Sequence, residues 1–197
     1  MNIRPPAPRT GQRLMACLLA FAGLLASLAA QAADWEARHG LTPAQYQSTF
    51  NDLRDRGYRL TAVSGYESNG ARYAADWKKL PGPAWEARHG LTAEQYQATF
   101  DTLGRQGFRV VYINGYAIGG QARYAAIWEK RGGPAYRARH GLTAEQYQAA
   151  VTEADRDGYA LTHLSAFSVG GSPRFAAIFE QVASGWLARH GLTAAEY

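Results

Sequence analysis

The sequence predicts an α+β fold of tandem repeats of about 50 residues, each a helix followed by two strands. First, an eight-residue phrase that ends in Ala-Arg-His-Gly-Leu-Thr occurs four times, beginning at residues 35, 85, 136 and 186. Second, a helical pattern follows the first three copies. Third, two strand-like runs separated by a glycine turn follow each helical pattern. A unit repeated at a fixed period buries its apolar face against its neighbours.

Residues 1–32 have the composition of a signal peptide. Three arginines precede an apolar stretch at 14–28, and residues 30–32 form a small-x-small cleavage pattern. A retained membrane anchor is the alternative interpretation, because the apolar stretch is almost long enough to enter a bilayer. Gly23 and Ser27 interrupt that stretch, however, so we expect cleavage and a secreted or periplasmic protein without a membrane-bound segment.

Cysteine content and charge limit the classes of partner. The single cysteine, Cys17, lies in the predicted signal peptide, so the exported chain contains no disulfide and depends on packing for its stability. Of the 21 Lys and Arg residues three precede residue 14, which leaves 18 against 16 acidic residues. Basic and acidic residues are interspersed, so the sequence predicts no nucleic-acid partner.

The helix is clearest in the second copy. Thr92 is a favourable N-cap, and Gln95 completes a capping box. Tyr96, Phe100 and Leu103 follow on one helical face. A glycine then ends each helix, in the position where a left-handed residue is favoured. The predicted structural residues of the three helices are Thr42, Thr92, Thr143, Gly57, Gly107 and Gly158.

Two strands are predicted after each helix. Residues 108–116 are rich in β-branched and aromatic side chains, and a glycine-containing turn at 118–120 separates them from a second such run. We therefore expect antiparallel hairpins with helices packed on one side, in a propeller-like or solenoid arrangement. Glycine- and proline-rich joints divide the chain into three repeats and a partial fourth, at residues 33–83, 84–133, 134–184 and 185–197.

The Arg-His-Gly triplets are the first candidates for chemistry. A histidine phosphatase carries a similar triplet, but only once and after a buried apolar strand, so that interpretation is disfavoured. A shared metal site is an alternative, although the ligands would lie about 50 residues apart without short zinc-type spacings. We expect structural histidines that bond to the backbone near their helix starts: His39, His89, His140 and His190. His163 has no counterpart and is predicted to be a tolerated strand residue.

Repeated aromatic and basic residues are the candidate binding contacts. Several Tyr and Trp positions become Phe in the third repeat, as in Tyr66, Tyr116 and Phe167, which indicates use of the ring for its volume in the core. The aromatic residues beside the joints are better candidates for exposed contacts, and three arginines that follow the hairpin turns could form an anion-binding rim. These candidates are Trp35, Trp85, Tyr136, Trp186, Arg72, Arg123 and Arg174.

No catalytic motif is present: S-x-x-K, G-x-S-x-G, H-E-x-x-H and the P-loop are all absent from the sequence. The combination of aromatic-x-Ala-Arg-His-Gly-Leu-Thr, Gln-Tyr-Gln, Gly-aromatic-Arg and Arg-Tyr-Ala-Ala-x-Trp resembles the bacterial tandem repeat domain. Similar repeats form the N-terminal region of polyglycine hydrolases. The resemblance covers residues 34–197 and implies a secreted repeat module. In that family, the repeats commonly precede a serine hydrolase domain similar to class C β-lactamase.

The sequence therefore predicts an exported, non-catalytic module that binds a protein, peptide or cell-surface polymer such as a polysaccharide, or serves as an accessory domain. We expect no catalytic residue, metal ion or cofactor. The alternative is a truncated N-terminal region of a secreted β-lactamase-like serine hydrolase that lacks its catalytic domain. A third hypothesis is a metal-dependent enzyme built on the repeated histidines.

Overall fold

The computed structural model describes residues 34–182, together with residues 193 and 195. The predicted signal peptide and the candidates Trp186 and His190 lie outside the described residues. All described strands and helices belong to one compact unit that begins at Trp35. Within the described part of the chain, no helix is long and apolar enough to span a membrane.

The three described repeats have the same order of elements, strand–helix–strand–strand. The first repeat contains β1 (Trp35–Leu41), α1 (Pro43–Asp55), β2 (Arg59–Glu67) and β3 (Ala71–Lys78). The second contains β4 (Trp85–Leu91), α2 (Ala93–Arg105), β5 (Arg109–Ile118) and β6 (Gln121–Glu129). The third contains β7 (Tyr136–Leu142), α3 (Ala144–Arg156), β8 (Tyr159–Val169) and β9 (Ser172–Gln181). These elements confirm the predicted α+β repeat fold.

Each repeat forms its own three-stranded antiparallel sheet, with its third strand in the centre. The sequence prediction of two strands per unit was therefore incomplete, because the repeated Ala-Arg-His-Gly-Leu phrase is an edge strand rather than a joint. In β1 the register with β3 shifts between Arg38 and Leu41, where Gly40 has a φ of 70°. This bulge disrupts the alternation that would mark a strand in the sequence.

The predicted helix signals are confirmed in all three repeats. Thr92 accepts a hydrogen bond from the Gln95 amide, and the Gln95 side chain accepts one from the Thr92 amide. The same capping box begins α1 and α3. Gly107, just after α2, has a φ of 84°, which disfavours any residue with a side chain. Tyr96 and Leu103 are the buried residues of α2.

The core is divided into three clusters, and two of them extend across a repeat boundary. The first cluster lies under α1 but includes Tyr116, Ala125 and Ile127 from the second repeat. The second likewise includes Ala176 and Ile178 from the third repeat. Consecutive repeats meet through their second strands, β2 with β5 and β5 with β8. Each repeat therefore completes the core of the repeat before it, as expected for a solenoid-type array.

Replacing the N-cap of α2 tests the contribution of the capping box. Thr92→Ala removes the acceptor for the Gln95 amide, so we expect the free energy of unfolding to fall by about 1 kcal/mol. Thr99→Ala is the matched control in the same helix, since the Thr99 hydroxyl donates only to the Gln95 carbonyl. Urea denaturation measures both variants, and an equal effect of the two substitutions would contradict the capping assignment.

Candidate functional site

The joint between the first two repeats is held by an arginine at the start of β2. Arg59 Nη1 donates to the Pro83 carbonyl at 2.6 Å, and its Nη2 lies 2.9 Å from Glu129 Oε1. The guanidinium also lies 5.7 Å from the ring centroid of Trp85. One side chain thus contacts the connecting segment, the first strand and the third strand of the following repeat.

The second joint repeats this arrangement. Arg109 donates to the Pro134 carbonyl at 3.0 Å and pairs with Glu180 Oε1 at 2.9 Å, while its guanidinium lies 4.5 Å from the Tyr136 ring centroid. Arg109 is only 5% exposed. Arg59 and Arg109 are the arginines of the Gly-aromatic-Arg motif, but they were not predicted as functional or joining residues. The available signal was that both follow the helix-ending glycine by two positions.

Where the second strands of neighbouring repeats meet, a glycine of one strand packs against an aromatic ring of the next. A Cβ placed on Gly65 would lie 2.5 Å from the Tyr116 ring, and one placed on Gly115 would lie 2.1 Å from the Phe167 ring. The same glycines donate their amides across the joints, Gly65 to Asn114 Oδ1 at 2.9 Å and Gly115 to Ser165 Oγ at 3.0 Å. A side chain at either glycine would separate the two repeats.

A tyrosine or histidine ring in the second strand of the later repeat adds a hydrogen bond to the carbonyl of the repeat before it. The Tyr112 hydroxyl donates to the Val63 carbonyl at 3.2 Å, and His163 Nε2 lies 2.7 Å from the Ile113 carbonyl in the equivalent place. His163 is a strand residue, as predicted, but it also makes this hydrogen bond across the joint. His163 takes the role of Tyr112 in the next repeat, because an imidazole N–H and a phenol O–H can both donate to a carbonyl.

The repeated histidines pack against tyrosines of the preceding repeat. The His89 ring lies 4.5 Å from Tyr46 and 5.0 Å from Tyr73, both edge-on. His140 lies 4.7 Å from Tyr96 and 5.2 Å from Tyr124 in the second joint. The two histidines therefore occupy separate joints, and their main contacts are these rings rather than their own helix starts.

Burial affects the protonation of these two histidines. Burial lowers the pKa of His89. It also lowers the pKa of His140, although a weaker hydrogen bond with the Ala93 backbone acts in the opposite direction. His39 is exposed, because the described residues contain no repeat before the first. Among residues 34–182, no group of three or more His, Cys, Asp or Glu side chains could hold a metal ion.

The other candidate contact residues fall into different environments. Trp35 is 51% exposed. Trp85 packs instead against Phe50, with ring centroids 5.5 Å apart, and Tyr136 packs against Phe100 in the same way at 6.3 Å. The hairpin arginines bond locally, since each donates to the carbonyl of the residue before it; these are Arg72, Arg123 and Arg174.

The aromatic positions that become Phe in the third repeat are mostly core positions. Tyr124, Trp128 and Phe179 are buried, as the change of ring type predicted. Tyr116 differs, because its hydroxyl accepts a hydrogen bond from the Gly90 amide at 2.9 Å and lies 3.1 Å from the Tyr73 hydroxyl. The hydroxyl therefore fixes the bulge in β4, a role that volume alone does not explain.

A groove opens at both described joints, where α1 meets β4 and where α2 meets β7. The groove of the first joint has a volume of about 390 Å³ and that of the second about 420 Å³. We name them groove 1 and groove 2. The residues at equivalent positions in both are Tyr46 and Tyr96, Gln47 and Gln97, Phe50 and Phe100, Ala87 and Ala138, Arg88 and Arg139, and His89 and His140.

The two grooves differ in charge. In groove 1, Arg88 pairs with Glu86 at 2.8 Å. In the third repeat, Arg137 replaces that glutamate, and Arg137 pairs with Asp157 at 2.8 Å. Arg139 consequently has no acidic partner within 4.0 Å among the described residues, and groove 2 is the more basic of the two.

The family comparison matches the repeats now described. Residues 32–80, 82–131, 133–182 and 183–197 match the family model described as polyglycine hydrolase-like, structural repeat. The chain belongs to this family. No curated protein matches it. The family model thus supports the predicted resemblance, and the polyglycine hydrolase-like repeat corresponds to one strand–helix–strand–strand unit.

The buried ion pair of the second joint is tested by Glu180→Gln. This substitution keeps the shape of the side chain but leaves Arg109 charged and buried, so we expect a loss of about 3 kcal/mol in unfolding free energy. Glu86→Gln is the matched control, because its partner Arg88 is exposed and such pairs contribute less than about 1 kcal/mol. Similar losses for both, measured by chemical denaturation, would show that burial does not distinguish the two pairs.

The two buried histidines predict a loss of stability on acidification. Their folded-state pKa values lie below the ordinary value, so the unfolded chain binds protons more readily. The stability is complete above about pH 6.5 and is lost as the pH falls from there towards the folded-state pKa values. We expect Tm to fall between about pH 7.5 and about pH 5.5.

Substitution assigns this pH dependence to the joints. A variant with His89→Phe and His140→Phe keeps the ring contacts and should show a smaller change in Tm over the same pH range. His39→Phe, at the exposed equivalent position, is the control and should retain the full change. Thermal melts at both pH values measure the effect, and an unchanged pH dependence in the double variant would contradict it.

Proposed function

We propose that the chain is a non-catalytic binding module that holds an extended peptide segment along grooves 1 and 2. The observation that carries this proposal is the recurrence of one groove, with equivalent aromatic, amide and guanidinium groups, at both joints. A ligand with a repeated backbone can use the same contacts twice, which raises its overall affinity without new types of contact.

The chemistry of the grooves favours a peptide. Tyr46 and Phe50 supply aromatic surface, and Gln47 supplies an amide that can both donate to and accept from a peptide backbone. Gln47 Nε2 donates to Asn51 within α1 at 3.0 Å, which leaves its Oε1 without a partner among the described residues. Gln97 has the same arrangement with Asp101 at 2.8 Å.

The family description supports polyglycine as the first probe. Polyglycine has no side chains, so its recognition depends on contacts with backbone amides and carbonyls. The absence of a catalytic motif supports a binding role, and export through the predicted signal peptide would place the module outside the cytoplasm. The second candidate is an accessory region of a secreted serine hydrolase, which the same family description favours.

Binding of a polyglycine peptide, measured by isothermal titration calorimetry, tests the proposal. A variant with Gln47→Ala and Gln97→Ala should bind at least about ten-fold more weakly, which corresponds to about 1.4 kcal/mol. Gln121→Ala, at an exposed hairpin position, is the matched control and should bind like the unmodified protein.

Three results would contradict the proposal. Equal affinity in the groove variant would place the peptide elsewhere on the protein. Mass spectrometry of the incubated peptide should show no cleavage products, and accumulation of shorter fragments would show that the chain itself is catalytic. Binding of polysaccharide but not of peptide would leave a binding module with a different ligand class.

A further inference from the structure

The contacts between consecutive repeats define two complementary faces, a following face that meets the next repeat and a preceding face that meets the repeat before. On its following face, a repeat presents an arginine and a glycine in its second strand, as Arg59 and Gly65 do. On its preceding face, a repeat presents a hydrogen-bonding ring and an acceptor glutamate, as Tyr112 and Glu129 do. The first joint and the second joint both contain all of these groups.

The following face of the third repeat lacks both of its joining residues. Ala160 occupies the position of Arg59 and Arg109, so no guanidinium is available for a glutamate or an aromatic ring. Ala166 occupies the position of Gly65 and Gly115 and is exposed. Its Cβ fills the space that the ring of a following repeat would need.

The preceding face of the first repeat is altered in the same way. Ala62 stands at the position of Tyr112 and His163, so it cannot donate to a neighbouring carbonyl. Lys78 stands at the position of Glu129 and Glu180, which reverses the charge that an arginine would meet. Tyr66, the equivalent of the packed ring Tyr116, is 37% exposed.

We infer that the outer faces of the first and third repeats are adapted against head-to-tail contact with a whole repeat from a second copy of the chain. A head-to-tail contact between two copies would place Tyr66 against Ala166 and Lys78 opposite Ala160. It would contain a clash, no ion pair and no ring-to-carbonyl hydrogen bond. These four differences between the outer and inner repeats therefore prevent the open-ended association to which heterologous interfaces are prone.

Restoring the joining residues tests this inference. One variant carries Ala62→Tyr with Lys78→Glu, and a second carries Ala160→Arg with Ala166→Gly. We expect each to sediment as a monomer alone and the mixture to contain a one-to-one dimer by analytical ultracentrifugation. Mixing the first variant with the unmodified protein is the control and should give monomers. If both variants fold cooperatively but their mixture remains monomeric, the inference is wrong. It is also wrong if the unmodified protein self-associates and Ala166→Trp abolishes that association.

A matched pair of substitutions provides a second readout that needs no association. Gly115→Ala introduces the third repeat's residue into an occupied joint, where it meets the Phe167 ring, so Tm should fall by roughly 5 °C or more. Ala166→Gly makes the reverse change on the outer face and should shift Tm by less than about 2 °C. Equal shifts for the two variants would overturn the inference.

Discussion

The ring of Tyr116 occupies the space that a side chain at Gly65 would fill, and the ring of Phe167 does the same at Gly115. This contact sets how closely the second strands of neighbouring repeats approach. The hydrogen bonds from the glycine amides to Asn114 and Ser165 depend on that approach. The remaining contacts of each joint, including the buried arginine, form only when the strands are held at this distance.

The polar groups of the joints select one arrangement of the repeats. Arg109 is buried with Glu180, and removing charges from water offsets much of the attraction between them. The pair therefore adds limited stability but disfavours any packing that would leave either charge alone. Tyr112 and His163 illustrate the same requirement, because two different side chains satisfy the equivalent backbone carbonyl.

The grooves follow from this mode of assembly. A helix and the first strand of the next repeat meet around a histidine and a pair of tyrosines, which leaves a concave surface beside them. Because the joint is repeated, the groove is repeated with it. A binding function would thus arise from the contacts that also stabilise the array, with differences such as Arg137 adjusting the charge of one groove.

The sequence by itself determined the repeat, the helix caps and the hairpins, because each depends on residues close together in the chain. Thr92 and Gln95 lie three positions apart, and Gly107 acts through its own backbone conformation. The edge strand at the repeated phrase, by contrast, was missed because its bulge disrupts alternation and its partner strand is distant. Only the tertiary structure decided that Arg59 meets Glu129, 70 positions away, and that His89 packs against rings of the preceding repeat. Those pairs depend on how one repeat is placed against the next, which no local pattern records.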